Sequence, residues 1–388
     1  MRNKITFLIA FSLLVHVLCV CFCTITLYAH PDVQISSSLP VSARSAILVD
    51  WNSGRILYEK NAHEQLPNAS TTKIMTAVVA LENGDLNDIV VTSENAAHTG
   101  GSSIWLDTGE VKTLEELLYG LMLRSGNDAA VAIAEHISGS VTHFSDLMSQ
   151  RAHELGSTNS SFKNPHGLHH PDHYTTAYDL SIIASHAMGM PLFKKIVMTP
   201  DIKITWPGHP WDRRLFNQNK LLDLYPGGEG IKTGWTTPAG RCFVGSASRD
   251  GRRLISVVLN APNMWEDTEN LLNYGFDNFS NYRLIKNGQY LKAVPVIDGN
   301  QGKIKVLAGG DFVFPLKDKE GINNVSYRFT MQTPIKAPVV SGERVGELEI
   351  YYENQLIGVI DLISGDDIER RGLWERIKGF FTRSGRHG

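Results

Sequence analysis

The chain has 388 residues, a formal net charge of −3 and a hydrophobic fraction of 42%. That length suggests about two domains, and the composition suits an ordinary globular core. The near-balanced charge gives no electrostatic footprint for nucleic acid, so a nucleic-acid partner is excluded.

Met1-Arg2-Asn3-Lys4 precedes a mostly apolar run from Ile5 to Leu27. Basic residues before an apolar core describe a secretory signal, and Ala29 is the expected last residue of a signal peptide spanning 1–29. The run is also long enough to act as an uncleaved membrane anchor. Residues 1–30 hold two basic residues and no acidic ones, which leaves 35 basic against 40 acidic, net −5. Cys19, Cys21 and Cys23 lie in the apolar run, and none follows the small residue that a lipid-attachment signal needs. Only Cys242 remains beyond it, so no internal disulfide is expected in the exported part.

Residues 31–44 are polar and Ser/Pro-rich, as in a linker. Ser45 to Asp50 reads as a strand, Asn52-Ser53-Gly54 as a turn and Arg55 to Lys60 as the hairpin partner. Asn68-Ala69-Ser70-Thr71-Thr72-Lys73 then leads into a buried helix from Ile74 to Leu81. Residues three apart share a helix face, so Ser70 and Lys73 stand side by side. A serine hydroxyl needs a base to become a nucleophile. A lysine serves if burial or a neighbouring cation lowers its pKa. Alone, the pair equally describes a capping serine and a surface lysine.

Leu114, Leu117, Leu118, Leu121 and Met122 share one face of a helix that stops at Arg124-Ser125-Gly126-Asn127. A second helix resumes at Asp128 and runs to Ile137. Such a break presents the Ser125 hydroxyl and the Asn127 carboxamide from a rigid support; it also suits a plain capping turn. Phe144 to Leu155 and Tyr178 to Met188 read as further helices. His166, His169, His170 and His173 cluster around an Asn164-Pro165-His166-Gly167-Leu168 turn, but their spacing matches no zinc signature, and no metal or cofactor is expected. Tyr225-Pro226-Gly227-Gly228 precedes a strand from Ile231 to Thr236, with Arg241 to Ser248 and Arg253 to Asn260 as antiparallel neighbours. On that strand Lys232 and Gly234 point one way and Thr233 the other. Gly234 leaves room for the backbone of a substrate peptide adding along the edge.

The ordered trio Ser70/Lys73, Ser125/Asn127 and Lys232/Thr233/Gly234 resembles the motif set of penicillin-binding proteins and class A β-lactamases. The Asn-Pro-His-Gly-Leu turn, the Tyr-Pro-Gly run and Ala239-Gly240-Arg241-Cys242 are similar to the serine-type D-alanyl-D-alanine carboxypeptidases. The resemblance covers residue 40 onward. A class A β-lactamase would also carry Glu-x-x-Leu-Asn between the second and third strings; here Glu269 to Asn273 lies after the third.

The resemblance implies a β-lactamase/transpeptidase-like catalytic domain of α/β (α+β) class over 40–278, with a five-stranded antiparallel sheet flanked by helices. It implies a D-Ala-D-Ala carboxypeptidase that trims peptidoglycan stem peptides and is trapped covalently by β-lactam antibiotics. Ser70 would be the nucleophile, Lys73 its base and Ser125 the proton relay to the leaving amine. Asn127 would bond the substrate amide, and Lys232 would supply positive charge. The N–H groups of Ser70 and Trp235 would form the oxyanion hole, and Thr233, Gly234 and Thr236 would line the substrate. Arg253, with Arg252 as its rival, would hold the terminal carboxylate. Relatives more often carry His where Trp235 stands.

From Phe279 short alternating runs between turn signals predict a small all-β domain over 279–364. Ser364-Gly365-Asp366-Asp367 reads as a helix start. In 366–388, Leu373, Trp374, Ile377, Phe380 and Phe381 form one apolar face opposite basic residues. That stripe suits a helix lying on an anionic membrane surface, or one docked on the β domain. Expected placement is at the outer face of the cytoplasmic membrane.

Overall fold

Alternation of side chains builds a sheet whose two faces are both covered. In the computed structural model, which describes residues 39–317 and 321–372, β1 (Ser45–Asp50) and β2 (Ile56–Lys60) form the first hairpin. Three more strands, β3 (Gly228–Thr236), β4 (Gly240–Arg249) and β5 (Arg252–Leu259), complete an antiparallel sheet in the order β2-β1-β5-β4-β3. Residues 61–227 thus intervene between neighbouring parts of one sheet. Ile47, Val49, Val244, Ile255 and Val257 face a helical cluster, while Ala46, Leu48, Phe243, Leu254 and Val258 face the other side.

The helical face carries α1 (Lys73–Asn83), α2 (Leu114–Leu123), α3 (Asn127–Ser138), α4 (Val141–Glu154), α5 (Ala177–Gly189) and α6 (Pro191–Met198). α1 is buried from Lys73 to Ala80 because it runs among α2, α3, α4 and α5. Thr113 and Glu116 form a reciprocal capping box that starts α2. The opposite face is covered by α7 (Met264–Asn278). Glu269 lies on this helix, exposed and on the far side of the sheet from Ser70.

Strand Phe279–Ile285 follows α7 directly. It pairs with Phe312–Lys317, and Phe279–Ile285 leads into a six-stranded sheet with its own core around Val306, Leu348, Ile350 and Leu362. The Arg55 guanidinium from the first hairpin lies 5.3 Å from the Phe279 ring and 5.0 Å from those of Phe314 and Tyr352, joining the two domains.

Two expectations are corrected. Ser364 does not start a helix: it ends strand Gln355–Ser364, and beyond it Ile368 bridges Val339 and Arg370 bridges Gly299. Asp366 also caps the Lys305 N–H at 2.8 Å, so the β domain continues past the expected boundary. α6 and the hairpin Asp201–Ile204/Arg213–Phe216 were not anticipated. The expected signal peptide at 1–29 and the apolar stripe of 373–388 lie outside the described residues. Among the described residues no helix is long and apolar enough to cross a membrane.

Candidate active site

Ser70 sits in a 3-10 turn, Ala69–Thr72, whose last residue leads straight into α1. The expected side-by-side placement holds: Ser70 Oγ and Lys73 Nζ are 3.0 Å apart. Ala69, just before the serine, has φ +47, a left-handed conformation that an L residue adopts at a cost. The turn is held there from several directions. Asn68 Nδ2 donates to the hydroxyls of Thr72 and Thr71, and Thr71 Oγ1 donates to Asn68 O at 2.6 Å. The turn Asn164–Leu168 presses on it from outside. A Cβ on Gly167, which has φ +87, would lie 1.8 Å from Ala69 O, so only glycine fits.

Lys73 is fully buried. Its Nζ donates to Asn127 Oδ1 and to His166 O, both at 2.7 Å. Neither acceptor has a proton to give. A neutral amine has two N–H groups for these two oxygens, and its lone pair is then left for the Ser70 hydroxyl. Burial pushes the Lys73 pKa well below its ordinary value; the nearby Lys232 charge pushes the same way, and Asp128 opposes them. Burial likewise brings Lys232 down to about 7.

The Gly100–Leu106 loop fixes the second motif. Asn127 Nδ2 donates to Gly100 O at 2.6 Å and Asn127 N to Ser102 O at 2.7 Å. Both ends of this amide are therefore engaged by the protein. Asn127 holds Lys73 in this structure, rather than standing free for a substrate amide. Asp128, buried, accepts from Ser103 Oγ at 2.6 Å and from the N–H groups of Ile104 and Leu106. Ser125 is buried with φ +60, and its hydroxyl has no hydrogen-bond partner among the described residues.

β3 is the edge strand that closes on the nucleophile. Lys232 Nζ donates to Thr233 O at 3.0 Å. A Cβ on Gly234 would lie 2.9 Å from Ser70 N and 3.0 Å from Thr71 N. The backbone that needs this glycine is thus the nucleophile turn of the same chain, where a substrate backbone was expected. Trp235 is 65% exposed. Thr236 Oγ1 accepts from Ala239 N at 3.2 Å and shapes the β3–β4 turn.

The two arginines face opposite ways, as alternation requires. Arg252 turns toward α7, donating to Gly275 O and Phe279 O. Arg253 forms a two-pronged pair with Glu229 at 2.6 and 3.1 Å and covers the Trp51 ring at 4.5 Å. Lys232 pairs with Val244, which pairs with Val257, whereas Arg253 pairs with Ser248. Four residues of offset is about 13 Å along the strand. The structure therefore does not bring Arg253 to Ser70; it serves Glu229. Burial alone would raise the Glu229 pKa, but hydrogen bonds from Arg253 and Lys194 bring it to about 2.

Other contributors were not singled out as site residues. The His166 carbonyl orients Lys73, and burial lowers the His166 imidazole pKa to about 3. His173 Nδ1 accepts from Lys163 N, which leaves Nε2 to donate to Thr72 Oγ1 at 2.8 Å. Burial lowers its pKa to about 4, so the ring is neutral. His169 and His170 are exposed. The signal for His166 was the Pro-His-Gly turn, which places its carbonyl at a fixed angle. Cys242 is buried opposite Gly234, and burial raises its thiol pKa to about 12, which suits an inert core thiol.

A serine hydroxyl 3.0 Å from a buried lysine whose pKa is lowered well below its ordinary value suits a hydrolase that works through an acyl-enzyme. Comparison with known proteins defines that class further. Residues 32–263 match the family model described as D-alanyl-D-alanine carboxypeptidase, and 279–370 match that of the penicillin-binding protein 5 C-terminal domain. The D-alanyl-D-alanine carboxypeptidase DacF of Bacillus subtilis is 35% identical over 356 residues, 89% of this chain and 91% of the relative. The DacC carboxypeptidase of Escherichia coli is 32% identical, over 88% of each chain. The crystal structure of penicillin binding protein 5 from Haemophilus influenzae superposes with a TM-score of 0.71 at 29% identity, covering 87% of this chain and 100% of that one. The chain belongs to the D-alanyl-D-alanine carboxypeptidase family: it is a serine-type peptidase that removes a terminal D-Ala through an acyl-enzyme and binds penicillin covalently. The family acts on peptidoglycan peptides.

Proposed function

We propose that Ser70 carries the acyl group and that Lys73, held neutral, is its base. The observation that carries this reading is the three-way environment of Lys73 Nζ, with two carbonyl-type acceptors and one hydroxyl. Ser70 Oγ gives its proton to the Lys73 lone pair and bonds to the carbonyl carbon of the penultimate D-Ala. The oxyanion is received by the N–H groups of Ser70 and Trp235, with each such donor contributing roughly 3 kcal/mol. As the C–N bond breaks, the proton taken up by Lys73 is relayed through Ser125 to the departing amine of the terminal D-Ala. Water then hydrolyses the ester. Asn127 positions Lys73, Lys232 supplies charge beside it, and the peptide lies along Thr233, Gly234, Trp235 and Thr236.

The substrates are peptidoglycan stem peptides, met outside the cytoplasmic membrane after export through the 1–29 signal. The apolar stripe of the tail rests on the outer face of that membrane. The position of Glu269 disfavours a β-lactamase, since that carboxylate cannot activate water at Ser70 from across the sheet.

Ser70→Ala tests the assignment. The variant is expected to lose both release of D-Ala and covalent labelling by fluorescent penicillin, followed by gel and intact mass. Label that survives and maps to another residue would refute it.

A further inference from the structure

The stem peptides of the proposed substrate are carried on a glycan strand, so a peptide docked along β3 brings amino-sugar rings to the rim of the site. We propose that the aromatic tip of the hairpin Asp201–Ile204/Arg213–Phe216 binds that glycan, with the rings of Trp206, His209 and Trp211 stacking on its sugars. This rests on the peptidase reading of the site, which sets the substrate class.

The tip is pre-shaped. In Trp206-Pro207-Gly208-His209, Pro207 and Gly208 take the two central places of a β-turn: Gly208 has φ +82, and His209 N donates to Trp206 O at 3.1 Å. The turn brings the rings at its two ends to 4.1 Å between centroids. Pro210 then leads to Trp211, whose ring lies 5.9 Å from that of His209. Trp211 is 63% exposed, and the three rings border a cleft of about 330 Å³. Rings already in place bind without the cost of first ordering a loop. The face of an aromatic ring carries partial negative charge, to which a sugar ring presents its C–H groups. The hydroxyl and acetamido groups of the sugar meet Thr205, His209 and Asp212 in the same cleft. Among the described residues no lysine or arginine lines this cleft, and its one acid is Asp212, which disfavours an anionic membrane as the occupant.

Buried charge holds the base of the tip and ties it to the active-site loop. Arg213 is buried; it pairs with Glu110 at 2.8 and 3.0 Å and lies 4.6 Å from the centroid of the Trp206 ring. Lys112, also buried, pairs with Glu110 at 3.2 Å and donates to Thr205 Oγ1 at 2.9 Å. The second arm of Arg213 donates to Trp105 O at 2.8 Å. Trp105 belongs to the Gly100–Leu106 loop, whose Gly100 and Ser102 carbonyls hold Asn127, the partner of Lys73. It stands three residues on from Ser102, at most about 11 Å of extended chain. Trp105 is itself 62% exposed, on backbone with φ +58. One arginine thus fixes both the aromatic tip and the loop at the rim of the catalytic site, so the two surfaces are continuous. A large exposed aromatic surface with this much support marks a place where something binds.

Fluorescently labelled glycan strands stripped of their stem peptides isolate the sugar, with binding to the whole enzyme read by anisotropy. Trp211→Ala should weaken that binding about 3–10-fold, the loss of one aromatic contact, and Trp211→Tyr should recover part of it. In turnover, kcat/KM for a stem peptide carried on its disaccharide should fall by a similar factor in Trp211→Ala, with the free peptide unchanged. The unchanged free-peptide rate reports that the variant is folded. Stripped strands that do not bind the wild-type enzyme, binding that Trp211→Ala leaves intact, or equal losses on the two peptides would overturn the proposal. So would a loss of binding to anionic vesicles in Trp211→Ala with glycan binding kept, which would give the tip to the membrane. A wild-type enzyme that binds stripped strands but neither releases D-Ala nor takes penicillin label would overturn the peptidase reading instead, a different result.

Discussion

Gly234→Ala tests whether the seam between the nucleophile turn and β3 sets the rate. The added methyl would stand 2.9 Å from Ser70 N, 3.0 Å from Thr71 N and 3.1 Å from Asn68 O, where ordinary contact begins at 3.4 Å. The seam must therefore open by about 0.5 Å, the difference between the first and last of these distances. Neither side yields easily. The turn is tied to Asn68 and pressed by Gly167, and β3 is locked to β4 through Thr236. Misplacing reacting groups by 1 Å costs about 100-fold in rate, so half of that displacement should cost about tenfold. Overpacking adds a destabilisation of about 1–3 kcal/mol. The assay is the second-order rate of acylation by a fluorescent penicillin, measured beside a urea melt. A folded Gly234→Ala that acylates at the wild-type rate would refute the reasoning, because the Ser70 N–H would then tolerate displacement.

Acylation should rise with pH as Lys73 gives up its proton and fall as pH drops through its lowered pKa; Lys73→Arg should lose acylation by orders of magnitude at every pH, since guanidinium is no base. Glu229 has its folded pKa lowered from 4.5 to about 2, so its contribution to stability is full above about 4.5 and is lost as pH falls toward 2. Urea melts of Glu229→Gln across that window should show a shallower acid loss than wild type, and an identical slope would remove Glu229 from the account. Truncation after Gly372, which spares the Ile368 and Arg370 bridges, should release the signal-free enzyme from anionic vesicles without changing turnover of a soluble peptide. Unchanged vesicle binding would assign the tail to docking.

The helices and the sheet were legible because their apolar residues recur with the right period. Leu114–Leu123 read as a helix from its spacing and Ile74 to Leu81 from its apolar run, and both are helical. Ser70 and Lys73 were legible for the same reason, three residues on one helical face. Alternation told that Arg252 and Arg253 diverge. It could not tell how far along the sheet they stand, because the register of β5 against β4 is set by the tight turn at Asp250-Gly251 and by Glu229, which reaches Arg253 from β3. The helix start at Ser364 failed for a related reason. Ser-Gly-Asp-Asp has capping chemistry, but Asp366 spends it on Lys305 N of a neighbouring strand. Local propensity was overridden by a pairing that only the tertiary fold contains.

The site also shows where the fold concentrates its constraints. Ala69 and Ser125, beside and at the two proposed serine positions, both hold left-handed backbone, at φ +47 and φ +60. Such residues cost about 1–3 kcal/mol each and persist only where surroundings over-determine them. Here the surroundings are named: Gly167 against Ala69 O, Gly234 against Ser70 N, His173 on Thr72, and Asp128 clasping the Gly100–Leu106 loop that braces Asn127. These restraints come from four separate stretches of chain, and they converge on one short turn and the lysine behind it. On the proposed mechanism, a substrate entering along β3 would meet a nucleophile, a base and two backbone N–H groups whose positions are already held by the protein. The reorganisation that a mobile serine and a solvated lysine would need has been done during folding.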